Sequence, residues 1–270
     1  MKILLNNSDL NEALCNVTNL GFVPTMGSLH KGHISLIKKS LKECNKTIVS
    51  IFINPKQFNS KNDYKKYPRN NKNDISILKK LKVNFLYLPN KNDIYDLRSK
   101  SQIKLSKKDK ILCAKYRKGH FEGVIDVMDR LTKKIKPKKI FMGEKDFQQL
   151  YLVKRYIEKK YTSKVISCKI VRDNQKLALS SRNLLLTKKQ LNIARNISKK
   201  IFFLKKELSK NINLKKLILI KKKEFNNLFN IKIEYLELRN KNNLKITNKI
   251  KDSKIFIAYY LNKIRLIDNY

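Results

Sequence analysis

The chain has 270 residues, 41% hydrophobic and 31% charged, with 12 Tyr and 12 Phe, which is enough apolar material for a buried core and excludes a disordered polyelectrolyte. Lys and Arg number 63 against 21 Asp and Glu, a formal charge of +42, so any polyanion is attracted without specificity. No apolar run approaches the about 18 residues of a membrane span, and MKILLNNSDL is too short in apolar residues for a secretory signal; the expectation is a cytoplasmic protein.

In chain order, LGFVPT (20–25) reads as the first buried strand. It runs through a TMG turn into a helix whose first turn carries His30 and His33 and whose Ile34, Ile37, Leu41 and Cys44 recur at spacings of three and four. TIVSIFIN (47–54), VNFLYLP (83–89), KKIFMG (138–143) and KVISCKIV (164–171) read as further strands. EGVIDVMDRLTKKIK (122–136) reads as a helix with Val124, Val127, Met128 and Leu131 on one face, ending before Pro137. Apolar runs alternating with helical periods predict a parallel sheet flanked by helices. Beyond about residue 180 two Lys-rich helices, 188–210 and 214–229, precede the strands IKIEYLELR, KIFIAYYL and KIRLID. The expectation is therefore α/β, a Rossmann-like domain over 1–170 and a smaller α+β domain over 171–270.

The basic excess is spread along the chain, mostly as Lys among many Asn and Ile. That is the pattern of AT-rich coding drift, whereas a nucleic-acid patch gathers Arg, Lys and aromatics on one element. No specific nucleic-acid partner is expected, although a basic RNA binder on a decayed enzyme fold is the reading from another class. Cys15, Cys44, Cys113 and Cys168 are scattered with no C-x-x-C pair, so neither a disulfide framework nor a zinc site is indicated.

Two of the three histidines and three of the six glycines lie between Gly21 and His33. Residues three apart share a helix face, so His30 and His33 point the same way from a helix N-terminus, where free main-chain N–H groups favour phosphate and Gly27 and Gly32 permit close approach. Neutral or transiently protonated imidazoles there can stabilise charge in phosphoryl or nucleotidyl transfer. Zinc is disfavoured, since no Glu follows the first His and no further ligands cluster nearby.

With its preceding strand, the H-x-G-H of His30 to His33 resembles the signature of the nucleotidyltransferase superfamily. Together with PTMG, NPKQF, YPRNNKNDISIL, GHFEGVIDVMDRL, FMGEKDFQQL, ALSSRN and the terminal RLIDN, it is similar in order and spacing to the pantothenate synthetase family over nearly the whole chain. A second adenylyltransferase acting on a phosphorylated acceptor is the alternative, and the uncharged amides of NPKQF and GEKDFQQL speak against it.

The resemblance implies ATP-dependent joining of pantoate to β-alanine through a pantoyl adenylate, with Mg2+ on the pyrophosphate and a homodimer joined through the amino-terminal domain. It assigns Met26, Gly27, Ser28, Leu29, His30, Lys31, Gly32 and His33 to ATP, with Gly143, Glu144, Lys145, Asp146, Val171, Leu179, Ser180, Ser181 and Arg182. His33, His30 and Lys145 take the catalytic roles, His33 as the family's proton donor, though a carboxylate nucleophile has no proton to lose and both imidazoles suit charge stabilisation. Gln57 and Gln149 take pantoate, Gln57 also lies at β-alanine, and no residue is assigned to a metal. Asn54 is expected to support the substrate, Arg117 to meet a phosphate or carboxylate, and the carboxy-terminal domain to close over ATP. Departures from the family pattern are Gln175-Lys176 where Asp-Gly is usual, Lys118 for Pro, and Asp126 and Asp129, read as facing solvent.

Overall fold

The computed structural model describes residues 1–95, 102–208 and 214–270, the side chain of residue 206 apart. The chain divides into two compact units, Met1–Lys169 and Ile170–Tyr270.

The first unit is a six-stranded parallel sheet with helices between the strands. In chain order its elements are β1 (Lys2–Leu4), α1 (Asn7–Leu14), β2 (Leu20–Thr25), α2 (Lys31–Glu43), β3 (Lys46–Ile51), α3 (Lys61–Lys66), α4 (Asn71–Lys80), β4 (Phe85–Tyr87) and α5 (Lys91–Ile94). There follow α6 (Leu112–Tyr116), α7 (His120–Ile135), β5 (Lys139–Gly143), α8 (Phe147–Lys160) and β6 (Lys164–Cys168). The strand order is β1-β4-β3-β2-β5-β6. From β2 the chain works outward through β3 and β4 on one side, while β5 and β6 lie on the other. The order thus reverses beside β2, the place where open parallel sheets bind ligands at their carboxyl edge.

β2 is buried at every position but Pro24, as a strand covered on both faces requires. It pairs with β3 from Leu20↔Lys46 to Thr25↔Ile51. α2 packs on β2, β3 and β5, and its Ile37 joins Val49, Leu78 of α4 and Phe141 in one apolar cluster. β1, α1 and α3 to α6 have no counterpart among the sequence expectations, and β6 stops at Cys168, three residues short of the apolar run that announced it.

The second unit opens with an irregular segment and continues as α9 (Lys188–Leu208), α10 (Leu214–Phe229), β7 (Lys232–Asn240), β8 (Ser253–Leu261) and β9 (Ile264–Asn269). The strands form an antiparallel meander β7-β8-β9. Ile197, Ile201 and Leu204 of α9 and Phe225 of α10 pack with Ile255 and Ile257 of β8.

Candidate active site

The loops that leave β2, β3 and β5 emerge from adjacent strands of a parallel sheet, so the PTMG-HKGH, NPKQF and GEKD segments share one edge. After β2 the chain turns with Gly27 at φ +78° and Ser28 at φ +52°. Side chains consume the amides of this turn one after another. Gly27 N–H donates to Thr25 Oγ1 at 3.1 Å, Ser28 N–H to Asp74 Oδ2 at 2.7 Å and Leu29 N–H to Asp74 Oδ1 at 2.8 Å. Asp74 lies in α4 and is fully buried.

His30 is not in the first turn of α2 but caps it. Its Nδ1 accepts Gly32 N–H at 3.1 Å, and His33 Nδ1 accepts His30 N–H at 3.3 Å, a capping box built from two imidazoles. The expectation of free main-chain N–H groups is thus not met at Gly27, Ser28, Leu29, His30 or Gly32, whose amides already have acceptors. Gly32 makes room for the cap: a Cβ there would stand 2.7 Å from His30 Cε1 and 2.9 Å from its Nδ1.

An imidazole whose Nδ1 accepts carries its proton on Nε2. Both rings therefore present Nε2–H donors away from the main chain, with centroids 4.1 Å apart. Burial lowers the His30 pKa to about 4, with Lys145 adding to the fall and Asp146 opposing it. Burial, then His30, then Lys145 lower that of His33 to about 3. The pair is neutral near pH 7, and Lys145, which follows β5, is brought within electrostatic reach of it. Lys145 Nζ lies 3.6 Å from Asp146 Oδ1, and Glu144 Oε1 accepts the Ser167 hydroxyl at 2.7 Å.

After β3, Asn54 caps a single 3-10 turn, Pro55–Gln57. Gln57 is buried. Its Nε2 reaches Met26 Sδ at 2.7 Å and its Oε1 accepts Asn54 Nδ2 at 3.2 Å, which ties this turn to the one after β2. Tyr95 hydroxyl donates to Asn54 Oδ1 at 2.7 Å. Arg117 donates to the Gln57 carbonyl at 3.2 Å and meets His120. Near the start of α8, Gln148 faces inward and donates to the carbonyls of Asp109 and Ile111 at 3.2 and 2.8 Å. Gln149 beside it is half-buried, and its amide has no hydrogen-bond partner among the described residues.

Asp126 and Asp129 do not face solvent. Asp126 is buried between Arg130 Nε at 2.7 Å and Lys56 Nζ at 3.1 Å, and Asp129 holds Lys160 Nζ at 2.8 Å and the Tyr161 hydroxyl at 2.8 Å. A carboxylate is admitted to the buried face of α7 because Arg130, one turn along the helix, and Lys56, from the loop after β3, both reach it.

In the second unit Leu179 N–H donates to the Val171 carbonyl at 3.0 Å. Ser180 Oγ accepts Arg182 N–H at 3.3 Å, Ser181 is buried, and Arg182 Nη1 donates to the Arg265 carbonyl at 3.2 Å. Arg265 is held in turn by Glu234, and Arg172 by Asp268 at 2.7 Å; these pairs explain two letters of RLIDN. The Gln175-Lys176 departure leaves a closed loop. Asp173 Oδ1 accepts the amides of Gln175 and Leu177, while Lys176 takes φ +72°, the left-handed conformation a glycine would supply.

Asp74 and His120 were not among the sequence candidates. For Asp74 the signals were its place in the YPRNNKNDISIL stretch and a lone acid opening the amphipathic run Asp74, Ile75, Leu78 amid Asn and Lys.

The fold and this edge define an α/β enzyme that collects neutral donors and a lysine where a parallel sheet reverses its order. The family model described as pantoate-beta-alanine ligase matches residues 2–270. The pantothenate synthetase of Sulfurihydrogenibium sp. is 35% identical, with 100% of this chain and 99% of that protein covered. That of Francisella tularensis subsp. novicida is 38% identical over 97% of this chain and 92% of that protein. Among solved structures, a pantothenate synthetase from Thermus thermophilus aligns with TM-score 0.94 at 27% identity, covering 100% of this chain and 99% of that one. The pantoate-beta-alanine ligase of Francisella tularensis, complexed with beta-gamma ATP and beta-alanine, aligns with TM-score 0.83 at 37% identity, covering 100% and 97%. The chain belongs to the pantoate-beta-alanine ligase family.

Proposed function

We propose that this chain joins pantoate to β-alanine in two steps, the first driven by ATP, with the paired imidazoles of His30 and His33 stabilising charge in that first step. The observation that carries this reading is the double cap, which leaves two neutral Nε2–H donors beside Lys145. In the first step a pantoate carboxylate oxygen attacks the α-phosphorus of ATP and the bond to the bridging oxygen breaks, releasing pyrophosphate. Negative charge grows on the phosphate oxygens, and fixed donors meet it without reorganising. His33 acts as a hydrogen-bond donor: neutral at pH 7 with a pKa of about 3, it has no imidazolium proton to give.

In the second step the neutral β-alanine amine attacks the acyl carbon, the acyl–oxygen bond breaks so that AMP leaves with its electron pair, and the nitrogen passes its proton to water. Neither capped Nδ1 is free to take that proton. Gln57 and Gln149 are assigned to pantoate and Gln57 also to β-alanine, since an amide offers both donor and acceptor to hydroxyls and a carboxylate. Met26 to His33 and Gly143 to Asp146 are assigned to ATP. In the second unit Val171 and Leu179 to Arg182 are assigned to ATP as well.

No group of three His, Cys, Asp or Glu side chains suited to a metal exists among the described residues. Mg2+ accepts one or two carboxylates and takes its other ligands from phosphates and water. Asp146, whose side chain is 47% exposed, would hold it, and the ion would neutralise the departing pyrophosphate. A homodimer is part of the proposal, tested by sedimentation. No helix among the described residues is long and apolar enough to cross a membrane.

The test is pyrophosphate release from Mg-ATP with pantoate alone, then AMP and pantothenate formation on adding β-alanine. Pantoate-dependent pyrophosphate is expected, and His33→Ala should slow it by about 100-fold, the scale of losing one charge-stabilising donor. No pyrophosphate from folded protein, or wild-type rates in the variant, would reject the reading.

A further inference from the structure

We infer that His120, backed by Arg117, is a positioning residue for the pantoate site, holding the main chain of Gln57 in the place that aims its amide. The inference rests on the assignment of Gln57 to pantoate. Gln57 ends a turn of three residues whose own bonds are long: Gln57 N–H to Asn54 carbonyl and Phe58 N–H to Pro55 carbonyl, both 3.3 Å. The turn is held from outside, by the start of α7.

His120 is buried, with Nδ1 2.6 Å from the Gln57 carbonyl oxygen and Nε2 2.9 Å from Arg117 Nη1. A guanidinium has only N–H groups to offer, so Nε2 accepts, the ring proton sits on Nδ1, and the ring donates to the carbonyl. Arg117 Nη2 donates to the same oxygen at 3.2 Å. Gly119 begins the helix at φ +79° with no side-chain cap, leaving His120 to serve Gln57 rather than its own helix. One turn further on, Gly123 comes so close that a Cβ would stand 2.4 Å from the Lys56 carbonyl oxygen, and its carbonyl accepts Asn54 Nδ2 at 3.0 Å.

The Gln57 amide is thus set between Asn54 and Met26, while its backbone is set by His120. Releasing the backbone shifts a group that orients substrate, and shifts of about 1 Å in such groups are costly. The cost falls on pantoate and β-alanine, the substrates assigned to Gln57, rather than on ATP, because none of these contacts touches the imidazole caps.

Steady-state kinetics of His120→Ala, His120→Asn and Gln57→Ala, with pantoate and ATP varied separately and a melting curve for each, test the inference. Asn places an amide nitrogen where imidazole Nδ1 stands and keeps the donor to the Gln57 carbonyl. His120→Ala should raise the pantoate KM by about tenfold, the worth of one buried hydrogen bond, leave the ATP KM unchanged, and be largely rescued in His120→Asn. If His120→Ala leaves the pantoate KM unchanged while Gln57→Ala raises it, the positioning role fails and the site assignment stands. If neither variant changes it, the assignment of Gln57 fails and takes the inference with it. Equal rises for both substrates with a lowered melting temperature and no rescue by Asn would reduce His120 to a packing residue.

Discussion

Two helix starts in the first unit carry histidine and use the ring in opposite senses. At α2 both Nδ1 atoms accept main-chain N–H groups, so the ring protons sit on Nε2 and point away from the backbone. At α7 the proton sits on Nδ1 and is given back to the main chain, while Nε2 is filled by Arg117. The partner of the nitrogen nearer the backbone decides which a histidine becomes, an outward donor or an internal strut. Glycine placement separates the cases. Gly32 lies under the His30 ring and lets it fold back over its own helix, whereas Gly119 precedes His120 and only turns the chain.

Gly32→Ala breaks this comparison most severely. The new Cβ collides with the His30 ring, which must leave its cap, and the Gly32 amide loses its acceptor. Pantoate-dependent pyrophosphate release should fall by about 30-fold or more, and stability by about 1 kcal/mol, the usual loss for an N-cap. A wild-type rate would show that the capped tautomer is irrelevant to the chemistry.

The pH dependence sharpens it. Folding holds His30 at about 4 and His33 at about 3 against 6.5 unfolded, so the unfolded chain binds more protons across that window. The stability these two rings contribute is fully present above about pH 6.5. It is lost progressively as pH falls, until about 4 for His30 and about 3 for His33. Nitrogen-15 NMR of the side chains should show Nε2–H on both rings at neutral pH and no protonation down to about pH 5. A titration midpoint near 6.5 for either ring contradicts the double cap.

The smallest effect lies in the second unit, where positive φ is met by Lys176 instead of glycine. Lys176→Gly should gain about 0.5–1 kcal/mol, the left-handed strain of an L-residue less the entropy that glycine adds to the unfolded chain, read as a higher urea midpoint. The opposing loss is the contact of Lys176 Nζ with the Phe202 ring at 5.3 Å. A lowered midpoint would mean that this contact outweighs the strain.

The α/β class was legible because β2, β3 and β5 are continuous apolar runs closed by turns or Pro, and α7 keeps its apolar period to the residue before Lys136. β1 escaped because three residues carry no period at all. At the candidate site the pairing of His30 with His33 could be seen in their spacing, but not the role of Gly32, since whether a glycine faces a ligand or a neighbouring ring is decided by a rotamer. Asp126 looked like a surface acid for a similar reason. The cations that make its burial tolerable come from one turn along α7 and from a loop 70 residues earlier, and only the fold brings the second of them near.

Asp74 binds the turn after β2 to a helix 45 residues further along the chain. α4 is short and rich in Asn and Lys, and Leu78 is its one fully buried apolar residue. Whenever it lifts from the sheet, the amides of Ser28 and Leu29 lose both acceptors together. Hydrogen exchange at those two positions should therefore follow the opening of α4, and the histidine-bearing turn is expected to open together with that helix.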